Sequence, residues 1–153
     1  VRTAIELGYA VIVVTNQAGI ARGYYDEKQF HALTDWMKTA FSEAGAPLTD
    51  VYFCPYHPDG QAPYNVVSEY RKPAPGMLLQ AAREHDIDLA DSLLIGDQET
   101  DVGAARAAGL RGVALLAEEA PAATAADVVL PDHAAACRWL RKIRGETSSA
   151  AAA

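Results

Sequence analysis

The chain has 153 residues, half of them hydrophobic by count and 22% charged, with a formal net charge of −7. That length suits one domain with a single core. The acidic balance argues against nucleic acid, whose proteins bind through clustered Lys and Arg, and no apolar run approaches the roughly 18 residues of a membrane span.

No signal peptide is visible, and two cysteines, Cys54 and Cys137, make no disulfide framework. The default expectation is a cytoplasmic monomer.

The chain opens on Val1, with no initiating Met. Val1 to Leu7 reads as the end of a helix, Gly8 as its stop, and Tyr9 to Val14 as a strand. A domain rarely begins partway through a helix that feeds a core strand. The expectation is therefore an N-terminally truncated chain, with one strand missing upstream.

The strand ends in Thr15, Asn16 and Gln17, and a loop with Gly19 and Gly23 follows. An amphipathic helix is expected from Asp26 to Ala44. Its apolar positions Phe30, Leu33, Met37, Ala40, Phe41 and Ala44 recur at three- and four-residue steps. Asp26 suits the N-cap and Gly45 the stop. Val51 to Cys54 is a short strand, and Pro55 to Tyr70 a long loop with three prolines.

Pro75 opens a helix that runs to His85. Ser92 to Ile95 is a strand, Asp101 to Ala108 a helix stopped by Gly109, and Gly112 to Leu116 and Val128 to Leu130 are strands. His133 to Ile143 is the last helix. Residues 1–144 form the expected domain, and 145–153 a frayed, disordered tail. Trp36 and Trp139 are expected to pack inside, and His31 and His85 to lie on the surface.

Strands alternate with helices, which argues for a Rossmann-like α/β/α arrangement around a mainly parallel sheet. In such sheets ligands bind beyond the carboxyl ends of the strands. Three polar clusters fall there. In the first, Thr15-Asn16-Gln17, a hydroxyl and backbone N–H groups can take a phosphate oxygen; plain turn chemistry is the competing reading. In the second, Arg71-Lys72 before Pro73 and Pro75, a planar fork sits beside a point charge, a pair suited to a dianion. In the third, Gly96-Asp97 and then Asp101, Asp97 can serve as a hard oxygen ligand for Mg²⁺. Asp101 can pair with Lys72 or simply favour a helix N-terminus.

Their order is more specific than any one of them. Strand–Thr-Asn, Arg-Lys-Pro before a helix, then strand–Gly-Asp-x-x-x-Asp resembles motifs two to four of the haloacid dehalogenase superfamily. Val13-Val14-Thr15-Asn16-Gln17-Ala18-Gly19-Ile20-Ala21-Arg22-Gly23, Cys54-Pro55 with His57-Pro58, and Arg71-Lys72-Pro73 with Pro75-Gly76-Met77 resemble the heptose-bisphosphate and histidinol-phosphate phosphatases. The resemblance covers roughly residues 5–116.

It implies a Mg²⁺-dependent phosphoric monoester hydrolase acting on a small sugar phosphate, such as D-glycero-D-manno-heptose 1,7-bisphosphate, through an aspartyl-phosphate. By position, Thr15 would hold the phosphoryl group and Lys72 stabilise its charge. Asn16, Gln17, Ala18, Arg71 and Gln98 would contact substrate. Asp97 would bind Mg²⁺, and Asp101 would orient the site from behind. The family's attacking Asp-x-Asp has no counterpart ahead of Thr15.

Two more departures stand out. The family's loop zinc pattern keeps Cys54 here, but Tyr56, Ser68 and Tyr70 replace the other ligands and His57 is one residue off. Zinc is therefore not expected. Gln98 stands where the family often has Lys. The alternatives are a histidinol-phosphate phosphatase, an inactive relic that only binds phosphate, and a receiver-like domain, whose acidic cluster would come first instead of last.

Overall fold

The computed structural model describes the backbone of residues 1–150 and the side chains of residues 1–145. In chain order the elements are α1 (Arg2–Glu6), β1 (Ile12–Asn16), α2 (Ala18–Ala21), α3 (Glu27–Glu43), β2 (Asp50–Cys54) and α4 (Gly76–His85). They continue with β3 (Leu93–Gly96), α5 (Glu99–Ala108), β4 (Gly112–Leu116), β5 (Val128–Leu130) and α6 (His133–Ala150). All strand pairs are parallel. They fall into two sheets: β1 with β2, and β3–β4–β5 with β4 in the middle.

The expected α/β architecture is present, and most elements lie within a few residues of their predicted bounds. The first strand is displaced, running from Ile12 to Asn16 instead of Tyr9 to Val14. The 18–25 stretch contains a one-turn helix, α2, where only a loop was expected. The last helix passes the expected Ile143 and is continuous to Ala150; the remainder of the tail expected over 145–153 lies outside the described residues.

Local sequence explains the boundaries. Asp26 accepts a hydrogen bond from the Gln29 backbone N–H at 2.7 Å, and the Gln29 side chain accepts one from the Asp26 N–H at 3.0 Å. This reciprocal cap starts α3. Gly109, with φ 75°, closes α5 in the left-handed region that glycine enters without a Cβ clash. β4 reads Gly-Val-Ala-Leu-Leu and is buried along its first four residues, as a strand paired on both sides requires.

The main core gathers Leu94, Val102, Ala105, Leu110, Val113 and Leu115 under the three-stranded sheet. Val14 of β1 packs against this cluster and so joins the two sheets by side-chain contact. A second cluster, Tyr52, Cys54, Met77 and Ala81, seats α4 on the two-stranded sheet.

The apolar stripe expected on α3 is only partly used. Phe30 is buried against Phe53, with ring centroids 4.4 Å apart, but Leu33 is 61% and Trp36 68% exposed. Trp36 is thus not a packing residue here: the covered face of α3 runs through Phe30, Met37, Ala40 and Phe41, and Trp36 lies off it. Trp139 does pack, against the Leu130–Ala135–Ala136 cluster. Among the described residues no helix is long and apolar enough to cross a membrane.

Candidate active site

The carboxyl ends of β1 and β3 and the loop entering α4 meet at Lys72. Its ammonium donates to the Val14 carbonyl at 2.7 Å and pairs with Asp101 Oδ1 at 2.5 Å. Both side chains are largely out of solvent, 11% and 7% exposed. A buried pair is held by its geometry, since each charge has given up water that only the partner replaces. Asp101 is further fixed through Oδ2, which accepts the Gln98 backbone N–H at 3.1 Å at the start of α5. The two readings of Asp101 are therefore both present in one residue: it pairs with Lys72 and it caps the helix.

Asn16 fixes the other side of Lys72. Its amide nitrogen donates to the Lys72 carbonyl and its amide oxygen accepts the Lys72 N–H, each at 3.0 Å. This pair of hydrogen bonds to the backbone of one residue leaves Asn16 clamping the lysine instead of facing outward. Gln17 is also engaged internally. Its Nε2 donates to Thr15 Oγ1 at 2.9 Å, and its Oε1 accepts from the Tyr25 hydroxyl. The Gln17 backbone N–H donates to the Cys54 carbonyl at 2.8 Å and continues the β1–β2 ladder by one residue.

Arg71 is half-buried and donates to the Tyr56 carbonyl at 3.3 Å, which ties the base of the long loop. Ala18 opens α2, half-buried. Asp97 and Gln98 are exposed just past β3. Two bonded sets thus lie side by side at the end of β1, Thr15–Gln17–Tyr25 and Asn16–Lys72–Asp101, with Arg71 next to the second in sequence and Asp97 and Gln98 exposed past β3.

Tight packing explains the glycine of Gly96-Asp97. A Cβ on Gly96 would lie 2.3 Å from Asp101 Cβ and 2.5 Å from its carboxyl carbon. Any side chain there would displace the acid that holds Lys72.

Magnesium takes oxygen ligands and keeps several waters, with one or two carboxylates from the protein. Asp97 fits one such ligand: it is exposed at a strand end, and its carboxylate makes no hydrogen bond or ion pair among the described residues. Asp101 is committed elsewhere. No group of three His, Cys, Asp or Glu side chains converges among the described residues.

The long loop does not fit a zinc site. Cys54 is fully buried, with its sulfur 4.0 Å from the Tyr56 carbonyl; His57 Nδ1 accepts the Asp59 N–H, and the Ser68 hydroxyl accepts the Tyr70 N–H. One thiol and one engaged imidazole fall short of four N or S ligands.

Beside this cluster lies an open cleft of about 400 Å³, walled by Tyr24, Tyr25, Asp26, Gln29, Gln61 and Tyr64. A hydrogen bond to Glu27 keeps the Tyr64 phenol protonated above its usual range. Tyr25 and the Val14 carbonyl are the two participants that sequence reasoning missed. The Gly23-Tyr24-Tyr25 run was visible, but nothing in it announced that α2 would fold Tyr25 back onto Gln17. The chain's one Asp-x-Asp, Asp86-Ile87-Asp88, is a turn. Asp86 is left-handed with φ 52° at the end of α4, and Asp88 caps the short 3₁₀ turn Leu89–Asp91.

Fold and site together define a haloacid-dehalogenase-like α/β hydrolase, and residues 69–137 match the HAD-hydrolase-like family model. D-glycero-alpha-D-manno-heptose-1,7-bisphosphate 7-phosphatase of Burkholderia mallei is 51% identical over 130 residues, 83% of this chain and 69% of that protein. The corresponding beta-anomer phosphatase of Yersinia pestis is 50% identical over 106 residues, 69% of this chain and 56% of that protein.

Two solved structures are similar. A HAD-like phosphatase from Mesorhizobium loti has a TM-score of 0.82 at 35% identity, covering 94% of this chain and 69% of that one. A D,D-heptose 1,7-bisphosphate phosphatase from B. bronchiseptica, complexed with magnesium and phosphate, has a TM-score of 0.74 at 30% identity, covering 92% and 79%. The chain belongs to the D-glycero-D-manno-heptose-1,7-bisphosphate 7-phosphatase family. It spans 69% of the length of the first of these two curated relatives and 56% of the second.

Proposed function

We propose that this chain forms the phosphoryl-binding body of a Mg²⁺-dependent phosphatase for a small sugar phosphate of the heptose 1,7-bisphosphate type. The observation that carries the reading is the Lys72 ammonium, held between the Val14 carbonyl and Asp101 where all three motif segments meet. A cation fixed in this way needs no reorganisation when negative charge builds on a transferring phosphoryl group.

Thr15 donates its hydroxyl to a phosphoryl oxygen, and Lys72 neutralises charge on the same group. Arg71, anchored at one nitrogen, has donors left for the substrate. Gln98 and the backbone at Ala18 border the site. Asn16 contributes by holding Lys72. Asp97 supplies a carboxylate to magnesium, which when bound neutralises phosphate charge.

The attacking aspartate of this family has no counterpart ahead of Thr15 among these 153 residues. Turnover then depends on an Asp-x-Asp outside them. The heptose reading is preferred to histidinol phosphate because the similar curated proteins are named for heptose bisphosphate.

The test is phosphate release, with Mg²⁺, from a panel of phosphosugars and histidinol phosphate, comparing this chain with a form extended upstream through an Asp-x-Asp. The extended form is expected to turn over a heptose bisphosphate, and Lys72→Met in it to lose about 100-fold or more in kcat. No turnover of any panel member by the extended form defeats the phosphatase reading and leaves the phosphate-binding relic.

A further inference from the structure

We propose that Tyr25 is a positioning residue that aims the Thr15 hydroxyl through Gln17, an inference that rests on the phosphatase reading above. Three side chains form a linear relay: Tyr25 hydroxyl to Gln17 Oε1, and Gln17 Nε2 to Thr15 Oγ1 at 2.9 Å.

A carboxamide has a donor end and an acceptor end, and a half-turn about its last bond exchanges them. The two orientations have opposite consequences for Thr15. With Nε2 toward Thr15, the hydroxyl accepts a hydrogen bond and keeps its own proton for another acceptor. With Oε1 toward Thr15, that single proton is consumed by the amide. A phosphoryl oxygen is an acceptor, so only the first orientation leaves Thr15 able to hold it. A phenol, being more acidic than an aliphatic hydroxyl, is the better donor and the poorer acceptor. Tyr25 therefore draws Oε1 to itself and turns Nε2 to Thr15.

The surroundings fix the tyrosine for this task. A Cβ on Gly19 would lie 2.3 Å from the Tyr25 ring, so glycine at that position lets the ring cross α2 closely enough to reach Gln17. The Tyr24 N–H donates to the Gly19 carbonyl at 2.9 Å and closes the turn that brings Tyr25 back. Tyr25 is half-buried and walls the open cleft, so its hydroxyl is not part of the apolar core. Removing that oxygen removes the relay and leaves the packing of the ring.

The experiment is a double-mutant cycle read by calorimetric titration of the full 153-residue chain with inorganic phosphate in the presence of Mg²⁺. The proteins are the parent, Tyr25→Phe, Gln17→Ala and the double variant, with thermal melting of each. The parent is expected to bind phosphate. Tyr25→Phe should bind it about three- to tenfold more weakly, the range of one misdirected hydrogen bond, with an unchanged melting temperature. In the Gln17→Ala background, Tyr25→Phe should change affinity by less than about twofold, because the residue it acts through is gone. Parent-like affinity in Tyr25→Phe overturns the relay. So does a Tyr25→Phe loss of equal size in both backgrounds. A parent chain that binds no phosphate overturns the reading of these residues as the phosphoryl-binding body, and the relay with it.

Discussion

The two sheets differ in how much of themselves they bury. β4 of the three-stranded sheet is buried along four of its five residues, whereas every residue of β1 is only partly covered. The three-stranded half carries the larger core. The two-stranded half is joined to it by Val14 and by the Lys72–Asp101 bridge. The candidate site straddles this boundary: Thr15 and Asn16 come from the less buried half, and Asp97 and Asp101 from the more buried one. A site divided in this way depends on whatever registers the halves against each other.

The largest expected effect is therefore at the bridge. Asp101→Leu leaves a buried ammonium without its counter-charge, with only the Val14 carbonyl to accept from it, which should destabilise the chain by about 3–5 kcal/mol. For a chain of this length that is a fall in melting temperature on the order of 10 °C. Adding Lys72→Met should recover most of it, since apolar groups of similar size replace the whole pair. A double variant that melts no higher than Asp101→Leu would show that the bridge does not join the halves.

Core truncations sharpen the comparison next. Leu115→Ala in the three-stranded half and Met77→Ala in the two-stranded half should each cost about 2–5 kcal/mol, since both residues are almost wholly buried. Calorimetry should show both variants shifting one shared transition. Two transitions, each answering to one variant, would mean that the halves unfold separately.

Acid should act on both halves. Burial raises the pKa of Asp127, but hydrogen bonds from Arg106 and the Val113 N–H outweigh it and hold the carboxyl below its usual value. Asp50 is likewise lowered, with burial opposed by the Val51 N–H, His85 and Lys38. A lowered folded pKa stabilises above the unfolded value, near 3.8 for each, and the gain is lost as pH falls through the folded one. Melting temperature followed below pH 4 should therefore drop more steeply in the parent than in Asp127→Asn or Asp50→Asn. Parallel acid limbs would remove these carboxylates from the account.

The smallest effect is expected at Trp36. It is 68% exposed, and Trp36→Ser should move stability by no more than about 0.5 kcal/mol in urea unfolding.

Much of this was legible in the sequence because it rests on local chemistry. The Asp26–Gln29 cap, the Gly109 stop and the apolar run of β4 announce their elements with residues a few positions apart. Lys72, Asp97 and Thr15 stood out because strand ends are where parallel sheets expose chemistry. Partners distant in sequence were mostly illegible. Nothing near Asn16 predicts that its amide will close on the Lys72 peptide, 56 residues away. The pairing of Asp101 with Lys72 could be named as an option but not chosen over a plain helix cap. Leu33, placed on the apolar stripe by its spacing, is exposed because helical periodicity reports which residues share a face, not whether a neighbour covers that face, and Trp36, expected to pack from its residue type alone, lies off that stripe.

The Asn16 clamp has one more consequence. Lys72 is held at its peptide by Asn16 and at its ammonium by Val14 and Asp101, and none of these contacts belongs to the stretch from Pro55 to Tyr70. That stretch has ties of its own: Arg71 to the Tyr56 carbonyl, the Gln61 N–H to the Ala21 carbonyl at 2.7 Å, and the Gly76 N–H to the Glu69 carbonyl at 2.9 Å. The direct contacts that fix the cation therefore come from β1 and α5 and not from the side chains of that stretch. What the loop presents and what fixes the charge beneath it are thus supplied by separate sets of residues.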